Sequence, residues 1–182
     1  MVKIIQNGNE ILRQIAAPVS EKDFGGKTLK AIIKRMKEAL VSQKDGVAIA
    51  APQIAVPLRI FVVAGFMFRK KETDPIPSDR VFINPEITRA SKEKWWMDEG
   101  CLSVRYLYGR VYRAKKTTVR AYDEEGTRFM MGGSNILAQI FQHEIDHLNG
   151  ILFVDNAKDI HEMSAAEMEA LSGSTPKISP KL

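Results

Sequence analysis

Residues 142–150 read Gln-His-Glu-Ile-Asp-His-Leu-Asn-Gly, with two histidines four residues apart on either side of a glutamate and an aspartate. These histidines, His143 and His147, are two of only three in the chain. In a helix, this spacing places both imidazoles on one face, where they can bind one metal ion. Glu144 then lies beside the metal and can take a proton from a bound water. The motif predicts metal-assisted hydrolysis without naming the bond that is cut. The alternative is a solvated helix end with a chance pattern.

The flanking residues favour a helix. Ser134 is predicted to be its N-cap, and Asn149 and Gly150 supply a stop signal. Between them, apolar residues recur at intervals typical of a packed helix. Ile136 and Ile140 fall on nearly the same stripe as the two histidines. They predict either an apolar wall beside the metal or ordinary core.

A tetrahedral metal site with two histidine ligands needs a third protein ligand and an open position for water. The downstream candidates form no convincing motif; they are His161, Glu162, Glu167 and Glu169. Upstream, the only cysteine is Cys101, within residues 99–103, Glu-Gly-Cys-Leu-Ser. A lone cysteine is usually a small buried hydrophobe, but these neighbours favour a turn. Cys101 is therefore the candidate third ligand, as a thiolate.

Three ordered segments together resemble the signature of a known family. Residues 46–53 read Gly-Val-Ala-Ile-Ala-Ala-Pro-Gln, and residues 99–103 and 142–150 follow in order. They are similar to the motifs G-x-G-x-A-A-P-Q, E-G-C-L-S and Q-H-E-x-D-H-L-x-G of peptide deformylases. The resemblance runs from about residue 3 to about residue 155. It implies an α+β fold, with small antiparallel or mixed sheets around a central metal-binding HExxH helix.

The resemblance implies an activity, the removal of the N-formyl group from the N-terminal formylmethionine of newly synthesised polypeptides, with release of formate. The implied metal ligands are Cys101, His143 and His147. Glu144 would act as general base and then as general acid. The resemblance assigns stabilisation of the oxyanion to the Gln53 side-chain amide and the Leu102 backbone N–H.

The resemblance also implies where the substrate binds. Its extended backbone would pair with an exposed strand edge, and its methionine side chain would enter an apolar pocket. The implied substrate-binding residues are Gly46, Val47, Ala48, Met97, Gly100, Ile136 and Ile140.

Two departures from the family pattern affect this expectation. Ala48 replaces the second glycine of the first motif, which adds a methyl near the substrate and restricts φ. Residues 104–106 read Val-Arg-Tyr, where the family usually continues with an apolar residue, Pro and Gly. Two alternatives therefore stay open. One is a weakly active or non-catalytic deformylase-like peptide binder, and the other is a different metal-dependent amidase or peptidase.

The identity of the metal is not fixed by the ligands. One thiolate and two imidazoles suit Zn²⁺ and also Fe²⁺, Co²⁺ or Ni²⁺. The resemblance implies one divalent ion, Fe²⁺ in the cell, often replaced by Zn²⁺ or Ni²⁺ on purification.

Length and composition agree with one globular enzyme. The chain has 182 residues, 45% of them hydrophobic, which is enough for a single core. We assign residues 1–172 to one catalytic peptide deformylase-like domain and residues 173–182 to a flexible C-terminal tail. One cysteine excludes an internal disulfide, and no stretch of the sequence is typical of a secretory signal or a membrane span.

These features predict a bacterial cytoplasmic protein, or one of an organelle matrix or stroma if the source is eukaryotic. The expected partners are nascent formyl-Met polypeptides, and the formal charge of +5 suits transient association with the ribosome. The alternative is an ordinary basic protein. Neither DNA nor a membrane is expected as a partner.

Periodicity predicts the remaining elements. An amphipathic helix is expected over residues 28–44 and a buried strand over 58–64, followed by a charged loop over 69–80. Further predictions are short strands over 81–84, 87–90 and 127–131, a β-rich segment over 110–122 and a short helix over 164–171.

Overall fold

The computed structural model describes residues 2–164. Its helices are α1 (Lys27–Val41) and α2 (Ile136–Leu148). Its strands are β1 (Ala48–Ala50), β2 (Ile60–Val63), β3 (Arg80–Ala90), β4 (Lys94–Cys101), β5 (Val104–Ala114), β6 (Lys116–Tyr122), β7 (Arg128–Ser134) and β8 (Lys158–Glu162). The predicted α+β class is confirmed. The predicted tail and most of the helix predicted over residues 164–171 lie outside the described residues.

The strands form two antiparallel sheets. One has five strands in the order β1-β2-β3-β6-β7, and the other has three in the order β4-β5-β8. Outside these strands, a parallel bridge joins Ala17 to Leu58. Among residues 2–164, no helix is long and apolar enough to cross a membrane.

The five-stranded sheet buries apolar side chains on both faces. Helix α1 covers one face through an apolar stripe of Leu29, Ile33, Met36 and Leu40. Helix α2 covers the other face, where Phe141 packs against Phe61 and Phe82. Side chains that alternate along β2 therefore face two different cores, which explains its uniformly buried, apolar sequence.

Helix α2 is also tied to the three-stranded sheet. The Gln142 side chain accepts from the Ala114 N–H at 2.9 Å and donates to the Ala114 carbonyl at 3.0 Å. The Gln139 amide donates to the Asp98 carbonyl at 2.7 Å. The helix thus lies between the two sheets, and these contacts fix its position relative to the β4–β5 hairpin.

Two local predictions are wrong. Ser134 is not the N-cap of α2, because it still pairs with Lys116 as the last residue of β7, and Asn135 is the cap.

The segments over 81–84 and 87–90 form one strand, β3, with an irregularity between Ile83 and Glu86. Asn84 adopts a positive φ of 49° within this irregularity. Its side chain pairs with the Val19 backbone through two 2.8 Å bonds, which stabilises the bulge without ending the strand.

Candidate active site

The three predicted metal ligands converge where the β4–β5 hairpin meets α2. Cys101 is the last residue of β4 and pairs with Val104 across a two-residue turn. His143 and His147 project from one face of α2. One ligand atom from each of the three residues lies within 4.8 Å of the other two. The Cys101 Sγ atom is 3.2 Å from His147 Nε2, and the two imidazole rings are nearly perpendicular, at 80°.

The chemistry of these donors fits a divalent metal. Burial raises the pKa of the Cys101 thiol, but the charge on His147 and a hydrogen bond with His143 outweigh it and lower the pKa to about 5. Cys101 is therefore a thiolate at neutral pH, the form that binds metal. One thiolate and two imidazoles also match a tetrahedral site with an open fourth position.

Glu99 orients one of these ligands. Its Oε2 atom lies 2.9 Å from His143 Nδ1, so an Nδ1–H that donates here leaves Nε2 available for a metal. Burial raises the pKa of Glu99, but hydrogen bonds with His143 and Arg113 outweigh it and hold the pKa at about 2. The pKa of His143 is raised well above its ordinary value, because bonds with Cys101 and Glu99 outweigh burial.

Arg113 completes this buried network, and sequence analysis missed it. Its Nε and Nη2 atoms donate to the two oxygens of Glu99 at 2.7 and 3.0 Å, and Nη1 donates to Asp146 Oδ2 at 2.6 Å. Only 7% of Arg113 is exposed. The available signal in the sequence was that Arg113 is a charged residue at a position of the β-rich segment whose side chain faces the interior. The guanidinium joins the hairpin to α2 beside the ligands.

Glu144 is buried next to the ligands. It is 4% exposed, and within the described residues its Oε2 atom has no hydrogen-bond partner. Burial raises its pKa to about 7, and the charges of His143 and His147 only partly oppose this. A carboxyl with a pKa near neutrality can both accept and return a proton.

Gln53 reaches the same site from the short 3-10 helix Ala51–Ile54. Its Oε1 atom accepts from the Ala50 N–H at 2.8 Å, which fixes the orientation of the amide. Its Nε2 atom donates to Ser103 Oγ at 3.1 Å and lies 3.6 Å from Cys101 Sγ. The neighbouring turn residue Leu102 is held by its carbonyl, which accepts from Gln6 Nε2 at 3.0 Å. A side-chain amide and a backbone turn thus lie beside the ligand sulfur.

A pocket of about 240 Å³ opens onto these residues. Of the predicted substrate-binding residues, it is lined by Val47, Ala48, Gly100, Ile136 and Ile140.

Gly46 and Met97, also predicted to bind substrate, do not line this pocket. A Cβ on Gly46 would lie 2.9 Å from Leu40 Cδ1, so this position faces α1. Met97 lies four residues before Cys101 in β4, about 13 Å along an extended strand.

The pocket also has a charged wall that sequence analysis did not assign to substrate binding. Arg105 donates from Nη1 to Asp45 Oδ2 at 2.6 Å and from Nη2 to Gln43 Oε1. Arg105 and Asp45 both line the pocket. The departure from the family pattern after Ser103 marked this segment, but its pairing with Asp45, 60 residues earlier in the chain, became apparent only in three dimensions.

Comparisons with known proteins agree with this geometry. The sequence profile described as polypeptide deformylase matches residues 1–163. The peptide deformylase of Treponema pallidum (strain Nichols) is 40% identical over 148 residues, 81% of this chain and 83% of the relative. Peptide deformylase 2 of Clostridium perfringens is 37% identical over 161 residues, 88% of this chain and 96% of the relative.

Solved structures give the same answer. The class I type b peptide deformylase from Acinetobacter baumannii with bound Met-Ala-Ser has a TM-score of 0.76 and 36% identity, over 86% of this chain and 99% of that one. A peptide deformylase from Legionella pneumophila has a TM-score of 0.74 and 38% identity, over 94% of this chain and 91% of that one. On the profile match and the identity across most of its length, the chain belongs to the polypeptide deformylase family.

Proposed function

We propose that this chain hydrolyses the N-formyl group of N-terminal formylmethionine on newly made polypeptides and releases formate. One observation carries the proposal. Cys101, His143 and His147 converge within 4.8 Å of one another, and a pocket lined by Glu144 opens beside them, in a member of the deformylase family. The activity is that of a metal-dependent hydrolase acting on a formamide C–N bond.

The three ligands would hold one divalent cation, which would polarise the formyl carbonyl and make a water more acidic. Glu144 takes the proton of the attacking water and later delivers it to the leaving amine. Its pKa of about 7 suits both transfers near neutral pH. The Gln53 amide and the Leu102 N–H donate to the oxyanion that forms on the carbonyl. The bond between Gln53 and Ala50 fixes the first donor in advance.

The substrate would bind in an extended conformation along β1. This strand is at one edge of the five-stranded sheet, and its residue Ala48 lines the pocket. The methionine side chain would lie against Val47, Ile136 and Ile140. The structure of the Acinetobacter baumannii relative contains Met-Ala-Ser, which supports a peptide of this kind as the ligand.

We further propose Fe²⁺ as the ion in the cell, as the likeness to the deformylase family implies. Zn²⁺ or Ni²⁺ would replace it on purification, because a thiolate and two imidazoles accept all three. A cytoplasmic location and transient contact with the ribosome would bring the enzyme to its nascent substrates. The net charge of +5 supports such contact.

Formate release from formyl-Met-Ala-Ser, with metal content measured on the same anaerobic preparation, tests the activity. We expect formate with this peptide, no product from acetyl-Met-Ala-Ser and no cleavage of internal peptide bonds. Cleavage of internal bonds without a preference for formyl would identify a general peptidase. Metal binding without formate release would identify a non-catalytic peptide binder.

Variants of the site separate metal binding from proton transfer. Cys101→Ser, His143→Ala and His147→Ala should each lose both metal and activity. Glu144→Ala should keep the metal and lose most turnover, by roughly 100-fold or more, because only the proton carrier is removed. Wild-type formate release from metal-free Cys101→Ser protein would refute the ligand assignment.

A further inference from the structure

Strand β7 forms one edge of the five-stranded sheet, and no other strand within residues 2–164 pairs with its outer side. Its seven residues pair with β6 in an unbroken register, from Lys116–Ser134 to Tyr122–Arg128. Proteins usually protect such an edge with Lys, Pro or a bulge. Strand β7, Arg-Phe-Met-Met-Gly-Gly-Ser, has only one charged residue, no Pro and no bulge. Its outer edge is therefore able to pair with a further strand.

The hydrogen bonds at the two ends of the β6–β7 ladder identify the main-chain groups on this edge. The Asn135 N–H donates to the Lys115 carbonyl at 2.9 Å, and the Asp123 N–H donates to the Thr127 carbonyl at 3.0 Å. Hydrogen-bonded pairs alternate along an antiparallel ladder. The odd-numbered residues of β7 therefore bond to β6. The even-numbered residues, Arg128, Met130, Gly132 and Ser134, point their N–H and C=O groups away from the sheet.

The side chains of β7 divide between its two faces. The odd-numbered face packs towards α2, since a Cβ on Gly133 would lie 3.0 Å from Phe141 Cε2. The even-numbered face is open: Met130 is 61% exposed, and a Cβ on Gly132 would meet nothing within 4 Å. Met130, which is large and apolar, and Gly132, which has no side chain, therefore lie two residues apart on the same exposed face.

We propose that the outer edge of β7 pairs with β7 of a second copy of this chain, antiparallel about a two-fold axis at Met131. In this register Met130 of each copy lies opposite Gly132 of the other, and Arg128 lies opposite Ser134. All four outward-pointing residues of each strand then form hydrogen-bonded pairs. The two sheets join into one continuous sheet.

The order of residues in β7 favours a second copy as the partner. Its bulky side chains precede its glycines, so antiparallel self-pairing places Phe129 opposite Gly133 and Met130 opposite Gly132. The two Arg128 side chains lie at opposite ends of the paired strands, about 20 Å apart, so like charges do not meet. A seven-residue edge is smaller than a standard interface, so we expect a weak dimer whose population rises with protein concentration.

Sedimentation velocity on the full-length, metal-loaded protein from about 5 to 500 µM tests this pairing over the range expected for a small interface. The wild type should shift towards a dimer as its concentration rises. Met130→Lys should stay monomeric, because it places a charge on the paired edge. Gly132→Pro should do the same while keeping the β6 ladder, because the N–H that it removes points outward. The matched control Ile76→Lys changes a residue with 62% exposure in a loop and should dimerise as the wild type does.

Amide hydrogen exchange at low and high protein concentration tests the register. The amides of Met130 and Gly132 should gain protection only at high concentration. Those of Phe129 and Met131 should be protected throughout, because they bond to β6. A wild type that is monomeric over the whole range would overturn the proposal. So would a dimer of unchanged affinity in both edge variants, or Met130 and Gly132 amides already protected at the lowest concentration.

Discussion

Ala48 is one of the residues at which this chain departs from its family inside the pocket. The expected restriction of φ does not arise, because Ala48 lies in β1 and is not among the residues with positive φ. The methyl group itself remains: Ala48 is 5% exposed and lines the pocket on the α2 side of the sheet. Its effect on a bound peptide is therefore one of space.

We predict that Ala48→Gly leaves metal content unchanged and raises kcat/KM for formyl-Met peptides several-fold, because the backbone of the substrate can approach β1 more closely. The same change should lower the free energy of unfolding by about 1 kcal/mol, the usual cost of glycine inside a strand. Steady-state formate release and urea unfolding on one preparation measure both effects. A lower kcat/KM would instead show that the neighbouring residues have adapted to alanine.

The residues of the candidate site differ in how far their roles could be predicted from the sequence. Cys101, His143 and His147 could be predicted because metal coordination requires particular atoms, and those residue types are rare in this chain. Gln53 needed the family resemblance, since a glutamine in a loop has no chemical signature of its own. Arg113 could not be assigned, because its role depends on two carboxylates, Glu99 and Asp146, from different elements.

At the scale of elements, the turn from β7 into α2 has a strained backbone. Asn135 has φ 51° and ψ −122°, and its side chain makes no capping hydrogen bond. Only glycine adopts this conformation without strain. The strain is retained because β7 and α2 are both fixed by packing, and the chain must turn between them within one residue.

We predict that Asn135→Gly raises the free energy of unfolding by about 1 kcal/mol. This is the lower end of the usual cost of a strained backbone position, which glycine would relieve. Asn135→Ala should lower it, because alanine keeps the strain and adds no compensating contact. Thermal unfolding of the two variants beside wild type tests this pair. Equal midpoints for both would show that the turn relaxes without energetic cost.

The elements were predictable where their pattern was local. The amphipathic stripe of α1 follows a helical period, and the helix was expected within a few residues of its observed bounds, Lys27–Val41. Strand β4 was not predicted, because Lys-Trp-Trp-Met-Asp-Glu-Gly-Cys has no clear alternation. It forms because its backbone pairs with β5 across the hairpin and because Arg113 of β5 satisfies the buried Glu99, contacts that the residue pattern of β4 alone does not reveal.

For the whole molecule, two buried carboxyls make the stability of the metal-free protein depend on pH in opposite directions. The pKa of Glu99 is lowered to about 2 from an ordinary 4.5. The stability that ionised Glu99 contributes is therefore complete above its ordinary pKa. It is lost as the pH falls through the pKa of Glu99 in the folded protein. The pKa of Glu144 is raised from 4.5 to about 7. Ionising Glu144 in the folded protein is unfavourable. The free energy of unfolding therefore falls progressively as the pH rises from the ordinary pKa of Glu144 to its pKa in the folded protein.

We therefore predict that Glu144→Gln stabilises the chelator-treated protein increasingly as the pH rises from about 5 to 7.5, where the wild type must ionise a buried carboxyl. Glu99→Gln should be less stable than wild type by a nearly constant amount across the same range, because Glu99 is ionised throughout it. Urea unfolding at several pH values measures both differences. A constant offset for Glu144→Gln would mean that burial does not raise the pKa of Glu144, and its proposed role as proton acceptor and donor would then depend on the metal alone.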